Sequence, residues 1–246
     1  MLDMSTAVLE AAMTSPDVKS PARPVVELYH PLYGIVEVPS ITTLNEFRRW
    51  RHSGVLNDKL NVHYFQGTIL VETETEELNS HNLVKGALTA CLFPLIQDLD
   101  IGVFVGDNML LTNDEAELST EPDGMVILRE SFLNGRVALT AGEKTGAVAT
   151  EIVGSPDLVI EIISPSSVRK DLKTMMQSYY RAGIQEYWVI DARKDPIAFT
   201  IQARGALQYE GIPAQDEWCR SPVLNKEFKI IRRSKEWFDN YRLLHR

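Results

Sequence analysis

The sequence predicts an α/β protein, and three stretches carry that expectation. Residues 157–163 (DLVIEII) make an almost continuous apolar run of strand length. Residues 186–191 (EYWVID) make a second buried strand, one helix later. From Ser80 to Gln97, Leu83, Val84, Ala87, Leu88, Cys91, Leu92 and Leu95 recur at helical spacing, the mark of a long helix with one face in a core.

Along the chain, residues 1–24 hold Pro16, Pro21 and Pro24 among small and polar residues and are expected as a loose arm. Thr43 stands three before Glu46, a capping-box spacing, and Gly54 closes the short helix that follows. His63 to Val71 reads as two strands about a turn at Gln66-Gly67, and the glutamates at 72, 74, 76 and 77 as a solvated loop. Pro94 is expected to kink or end the long helix. Short strands are expected at 101–105, 109–112 and 124–129, with a loop or small hairpin over 131–154. The loop SPSSVRK leads into a helix at 171–182, striped by Leu172, Met175, Met176, Tyr179 and Tyr180 and stopped at Gly183. Short strands near 197–202 and 206–209 precede a terminal segment ending WFDNYRLL. The simplest division is an arm at 1–40 and a single domain at 41–246.

Hydrophobic residues are 44% and charged residues 24%, enough apolar material for a core. No run approaches the roughly 18 apolar residues that cross a bilayer, so no membrane partner is expected. The N-terminus lacks a basic start followed by an apolar stretch. Cys91 and Cys219 lie in no ligand pattern, and free thiols fit a reducing, cytoplasmic setting. The net charge of −9 argues against a broad basic face coating nucleic acid, but allows a local basic cleft beside acidic ligands.

Two acidic positions stand out. Asp123 follows Glu121-Pro122 at the mouth of a strand, and Glu161 lies inside the apolar run at 157–163. A carboxylate among valines and isoleucines is costly to bury unless a cation meets it, whether a metal ion or a buried Arg or Lys. Side chains alternate along a strand, so Asp157, Val159 and Glu161 share one face. Asp157 reads as a turn residue at the strand's start, and Asp123 alone would read as a turn cap. Two carboxylates converging from neighbouring strands form a hard, oxygen-rich site suited to Mg²⁺ or Mn²⁺.

The stretch SPDLVIEIISPSSVRKDL…SYYRAGIQEYWVIDARKD resembles the Uma-type restriction endonuclease family, formerly a domain of unknown function, of the PD-(D/E)XK nuclease superfamily. EPDGMVIL is similar to that family's earlier proline-aspartate strand, and SPVLNKEFKI to its C-terminal segment. The resemblance implies a restriction-endonuclease-like core, a central mixed β-sheet flanked by α-helices. It implies Asp123 and Glu161 as metal ligands, completed by the main-chain carbonyl of Ile162, and cleavage of DNA by metal-activated water. Such proteins often form homodimers.

Three positions depart from the family pattern. The superfamily's simplest motif has a lysine two residues after the acidic residue, where this chain has Ile163. The Uma-type pattern places a lysine on the following helix, where this chain has Met175. Lys173 is roughly 200° around a helix from Met175, so Lys170 at the loop end is the better stand-in, with a surface role as the other reading of both. An early-strand glutamate of the family is replaced by His63, structural or ligating, and His81 either approaches the cleft or fills the start of its helix. Tyr179 and Tyr187 read as core and sheet residues. Two functions follow: a Mg²⁺-dependent endonuclease, or a weakened nuclease fold that binds nucleic acid or a protein partner without cleaving.

Overall fold

The computed structural model describes residues 25–30, 34–56, 60–72, 77–141, 149–164, 167 and 170–246. The expected loose segment at 1–24 and most of the SPSSVRK loop lie outside these residues. The chain begins with a hairpin, β1 (Val25–His30) and β2 (Gly34–Pro39), then α1 (Leu44–His52), β3 (Val62–Phe65) and β4 (Thr68–Val71). A π-helical turn (Leu78–Asn82) runs into α2 (Leu83–Leu99), followed by β5 (Gly102–Val105), β6 (Leu110–Asn113), β7 (Leu118–Thr120) and β8 (Gly124–Leu128). Next come α3 (Arg129–Leu133), β9 (Val137–Ala141), β10 (Ala149–Gly154) and β11 (Leu158–Ile162). A second π-helical segment (Lys170–Met175) runs into α4 (Met176–Arg181). The remainder is β12 (Glu186–Asp191), β13 (Ala198–Arg204), β14 (Tyr209–Gly211), β15 (Cys219–Ser221), β16 (Lys226–Ser234) and β17 (Asp239–His245). Among the described residues no helix is long and apolar enough to cross a membrane.

Two six-stranded mixed sheets form the framework. The first runs β14-β13-β12-β11-β8-β5, with β11 and β12 parallel and the other pairs antiparallel. The second runs β4-β3-β7-β6-β10-β9, with β6 and β10 its parallel pair. A smaller antiparallel sheet joins β15, β16 and β17.

Strand alternation sorts the central strand between two cores. Leu158, Ile160 and Ile162 pack with Val84, Leu88 and Leu92 of α2, and with Trp188, Phe228, Tyr241 and Leu243. Val159, on the opposite face, joins Leu111, Leu118 and Ile152 of the second sheet and Met175 and Tyr179. The first sheet is thus covered on both sides, which is why β11 reads as a continuous apolar run. On the outer side of the second sheet, Phe47 of α1 packs with Val62 and Tyr64.

Several expectations hold. Thr43 accepts the Glu46 N–H (3.2 Å), β3 and β4 flank Gln66-Gly67 with both turn residues at positive φ, and Gly183 follows α4 at φ 77°. Others are corrected. Of the two outcomes expected at Pro94, the ending does not occur: the long helix runs on to Leu99, because Leu92, Leu95 and Ile96 are buried on either side of the proline and packing outweighs one missing backbone bond. The segment 131–154 holds the hairpin expected there, β9 pairing antiparallel with β10, but that hairpin is built into the second sheet, where β10 also pairs in parallel with β6. The C-terminal segment is a sheet that covers α2, where no strands were expected.

Candidate active site

Asp123 immediately precedes β8, whose register with β11 sets Gly124 opposite Ile160. Continued by one residue, that register sets Asp123 opposite Glu161. The Asp123 side chain is 11% exposed, with its Oδ1 2.9 Å from the Lys85 ammonium and its Oδ2 3.4 Å from His81 Nε2. The Ile162 N–H donates to Oδ2 at 2.7 Å. Burial alone would raise this carboxyl; the His81 hydrogen bond, the Lys85 charge and the Ile162 N–H outweigh it and hold the group at about 2. Lys85 also pairs with Asp107 (2.8 Å), so two carboxylates share one ammonium.

Glu161 is 2% exposed and accepts a hydrogen bond from the Tyr179 hydroxyl (2.5 Å). Burial first, and then the Glu161 charge, push the Tyr179 and Tyr187 phenols well above their ordinary range. Tyr187 also feels Asp171 and Asp123, and its hydroxyl donates to the Asp171 carbonyl (3.0 Å). Among the described residues, no three of His, Cys, Asp and Glu are grouped as a ligand cluster.

The structure brings Asp123, Ile162 and His81 together. It contacts Asp123 through the Ile162 N–H, while the next N–H, that of Ile163, turns away to the Ile190 carbonyl (2.8 Å). Met175 and Ile163, at the two family lysine positions, are fully buried in the core between the sheets. Lys173 is exposed, and the Lys170 side chain lies outside the described residues. His63 is buried between Thr120 (Nδ1 to Oγ1, 2.8 Å) and Glu72 (3.2 Å), a bridge between strands and the loop after β4. Asp157 is an anchor for the turn at the start of β11, accepting from the Leu128 N–H (2.8 Å) and Ser131 Oγ (2.9 Å). Tyr179 is a core residue as expected, but it is also the Glu161 partner.

Sequence reasoning missed Lys85 and Asp171. Lys85 carried one usable signal: it is the only Lys or Arg between Ser80 and Gln97, and it stands four residues after His81, on the same face of a helix.

Mixed sheets flanked by helices, with the parallel pair β11 and β12 at the centre of the first, have the restriction-endonuclease-like architecture. The chain belongs to the Uma2 family, described as "Putative restriction endonuclease", whose model matches residues 44–232. A crystal structure from Anabaena variabilis ATCC 29413, described as "a putative nuclease belonging to DUF820", is similar in fold at a TM-score of 0.56. It is 19% identical, and the similarity covers 74% of this chain and 90% of that one. No curated protein matches.

Proposed function

We propose that the chain is a metal-dependent endonuclease that hydrolyses DNA phosphodiester bonds, with Asp123 and Glu161 as the metal-holding carboxylates. What carries this reading is the β8–β11 register, which continued by one residue sets Asp123 opposite Glu161, with a lysine ammonium already on Asp123. The donors fit Mg²⁺ or Mn²⁺, since both are hard carboxylate oxygens. Peptide groups alternate sides along a strand, which supports the Ile162 carbonyl as a third oxygen on the Asp123 side. A bound divalent ion polarises the phosphodiester and lowers the pKa of the attacking water. Lys85 stands in for the lysine missing at Met175 and Ile163. Lys85 is held by Asp107 as well as by Asp123, so with a divalent ion on Asp123 its ammonium would remain in place to offer charge to the phosphate oxygens. Tyr179 fixes the Glu161 carboxylate in its apolar setting.

Nicking of supercoiled plasmid in Mg²⁺ and in Mn²⁺ tests this, beside Mn²⁺ binding by calorimetry. Glu161→Ala is expected to abolish both cutting and Mn²⁺ binding. Lys85→Met is expected to retain Mn²⁺ binding and lose about 10²–10³-fold in rate, the scale of one lost charge-stabilising donor. Cutting that survives Glu161→Ala removes the site assignment, and a Lys170→Met loss larger than that of Lys85→Met moves the role to Lys170. A wild-type protein that binds DNA and leaves it intact supports the second reading, a non-cleaving binder, which the apolar residues at 163 and 175 favour.

A further inference from the structure

The family match ends at residue 232, and the turn between β16 and β17 lies just beyond it. This turn carries the most conspicuous exposed aromatic of the described chain. Trp237 is 83% exposed, edge-on to Phe238 at 4.2 Å, and the Lys235 N–H closes the turn onto the Phe238 carbonyl (2.9 Å). Arg233, Lys235 and Glu236 stand exposed in and next to this turn, and among the described residues none of the three has an ion-pair partner.

The position of the turn gives it a use. Arg232 donates to the Ala192 and Lys194 carbonyls (3.0 Å to the latter), tying the hairpin to the loop after β12. From that loop Arg193 reaches the Ser164 carbonyl (3.2 Å), two residues beyond Ile162. On the other side, Tyr241 and Leu243 of β17 share a core with Val84 and Leu88 of α2, the helix that continues from the π-helical turn bearing His81. The hairpin therefore projects from the same end of the first sheet as Asp123. Asp239, 3.7 Å from Arg232, occupies that arginine and leaves Arg233 and Lys235 for an outside anion.

We infer that the β16–β17 turn is a contact finger for single-stranded DNA: Trp237 stacks on an unpaired base, and Arg233 and Lys235 take the flanking phosphates. Stacking on an indole ignores base identity and requires a base freed from its pair, whereas phosphate contacts ignore strandedness. The inference rests on the nuclease reading and narrows its substrate to DNA with an unpaired segment near the cut.

The test is fluorescence anisotropy with a labelled oligothymidylate and with a duplex of equal length. It is run in EDTA on the Glu161→Ala background so that nothing is cut. Trp237→Ala is expected to weaken single-strand binding about 10–100-fold and to leave the duplex affinity and the thermal midpoint unchanged, while Trp237→Phe keeps most of the affinity. Replacing Arg233 and Lys235 together by Ala should reduce the slope of log affinity against log salt by about 1.4, two contacts at roughly 0.7 each. Unchanged single-strand affinity in Trp237→Ala, or equal losses on both DNAs, overturns the finger. So does a shift in oligomeric state on sedimentation, which would mark a protein interface. Plasmid cutting that is sound while Trp237→Ala binds normally sinks this inference alone; absence of cutting by the wild type sinks the nuclease reading alone.

Discussion

Asp123 ties acid stability to the site. Its carboxyl is depressed in the folded chain, so the stabilisation is fully present above the ordinary carboxylate value and is lost as pH falls through the folded value of about 2. The window is pH 4 to 2, and the shift corresponds to about 2 kcal/mol. In urea titrations, Asp123→Asn should be less stable than wild type by about that amount at neutral pH. The two proteins should converge as the pH approaches 2, and parallel curves would show that the carboxylate is not held by Lys85 and His81. Glu161 stood out in the sequence because charge in an apolar strand needs a partner, whereas Asp123 by itself read as a turn cap and was singled out by the family resemblance. Lys85 did not stand out, since a single lysine on an amphipathic helix reads as solvated until the fold turns it inward. The Tyr179–Glu161 bond joins residues 18 apart across a helix and a strand, and no local pattern announces it.

At the scale of elements, α1 is clamped to the second sheet by charge. Arg48 makes a two-pronged contact with Glu151 (2.9 and 2.7 Å), a residue only 2% exposed, and Arg51 meets Glu121 at 2.6 Å. Arg48→Ala leaves a buried carboxylate without its fork and should cost roughly 3 kcal/mol, measured by chemical denaturation. Arg48→Lys should recover part of that, because a point charge cannot reproduce the planar fork. The elements legible in advance were those with strong local chemistry: the capped α1, the Gln66-Gly67 turn, β11 and β12. The illegible ones were short or mixed in polarity. Lys226, Glu227, Lys229, Arg232 and Arg233 interrupt β16, so that strand shows no clean alternation, and three-residue β7 offers too few positions for any period. The π-helical widening before α2 and α4 has no sequence signature at all, yet it sets where His81 and Asp171 fall.

On the scale of the whole molecule, the first sheet depends on the C-terminal sheet, whose last strand, β17, lies past the family match. Trp188 packs on Phe228 at 4.8 Å, and Tyr241 and Leu243 close the core over α2. Ending the chain at residue 234 should abolish cooperative thermal unfolding and flatten the near-ultraviolet circular dichroism. The two lost side chains alone contribute about 1.5–3 kcal/mol each, against a net stability of about 5–15 kcal/mol. A sharp transition in the shortened chain would show that β17 is dispensable. One connection carries a broader consequence. Glu121, Pro122 and Asp123 are all that separate β7 in one sheet from β8 in the other. The aspartate rides the joint between two packed layers, so any slippage between them changes its gap to Glu161. Repacking the shared interior, far from any reacting atom, is thus a way to tune or silence this centre with every one of its polar groups intact.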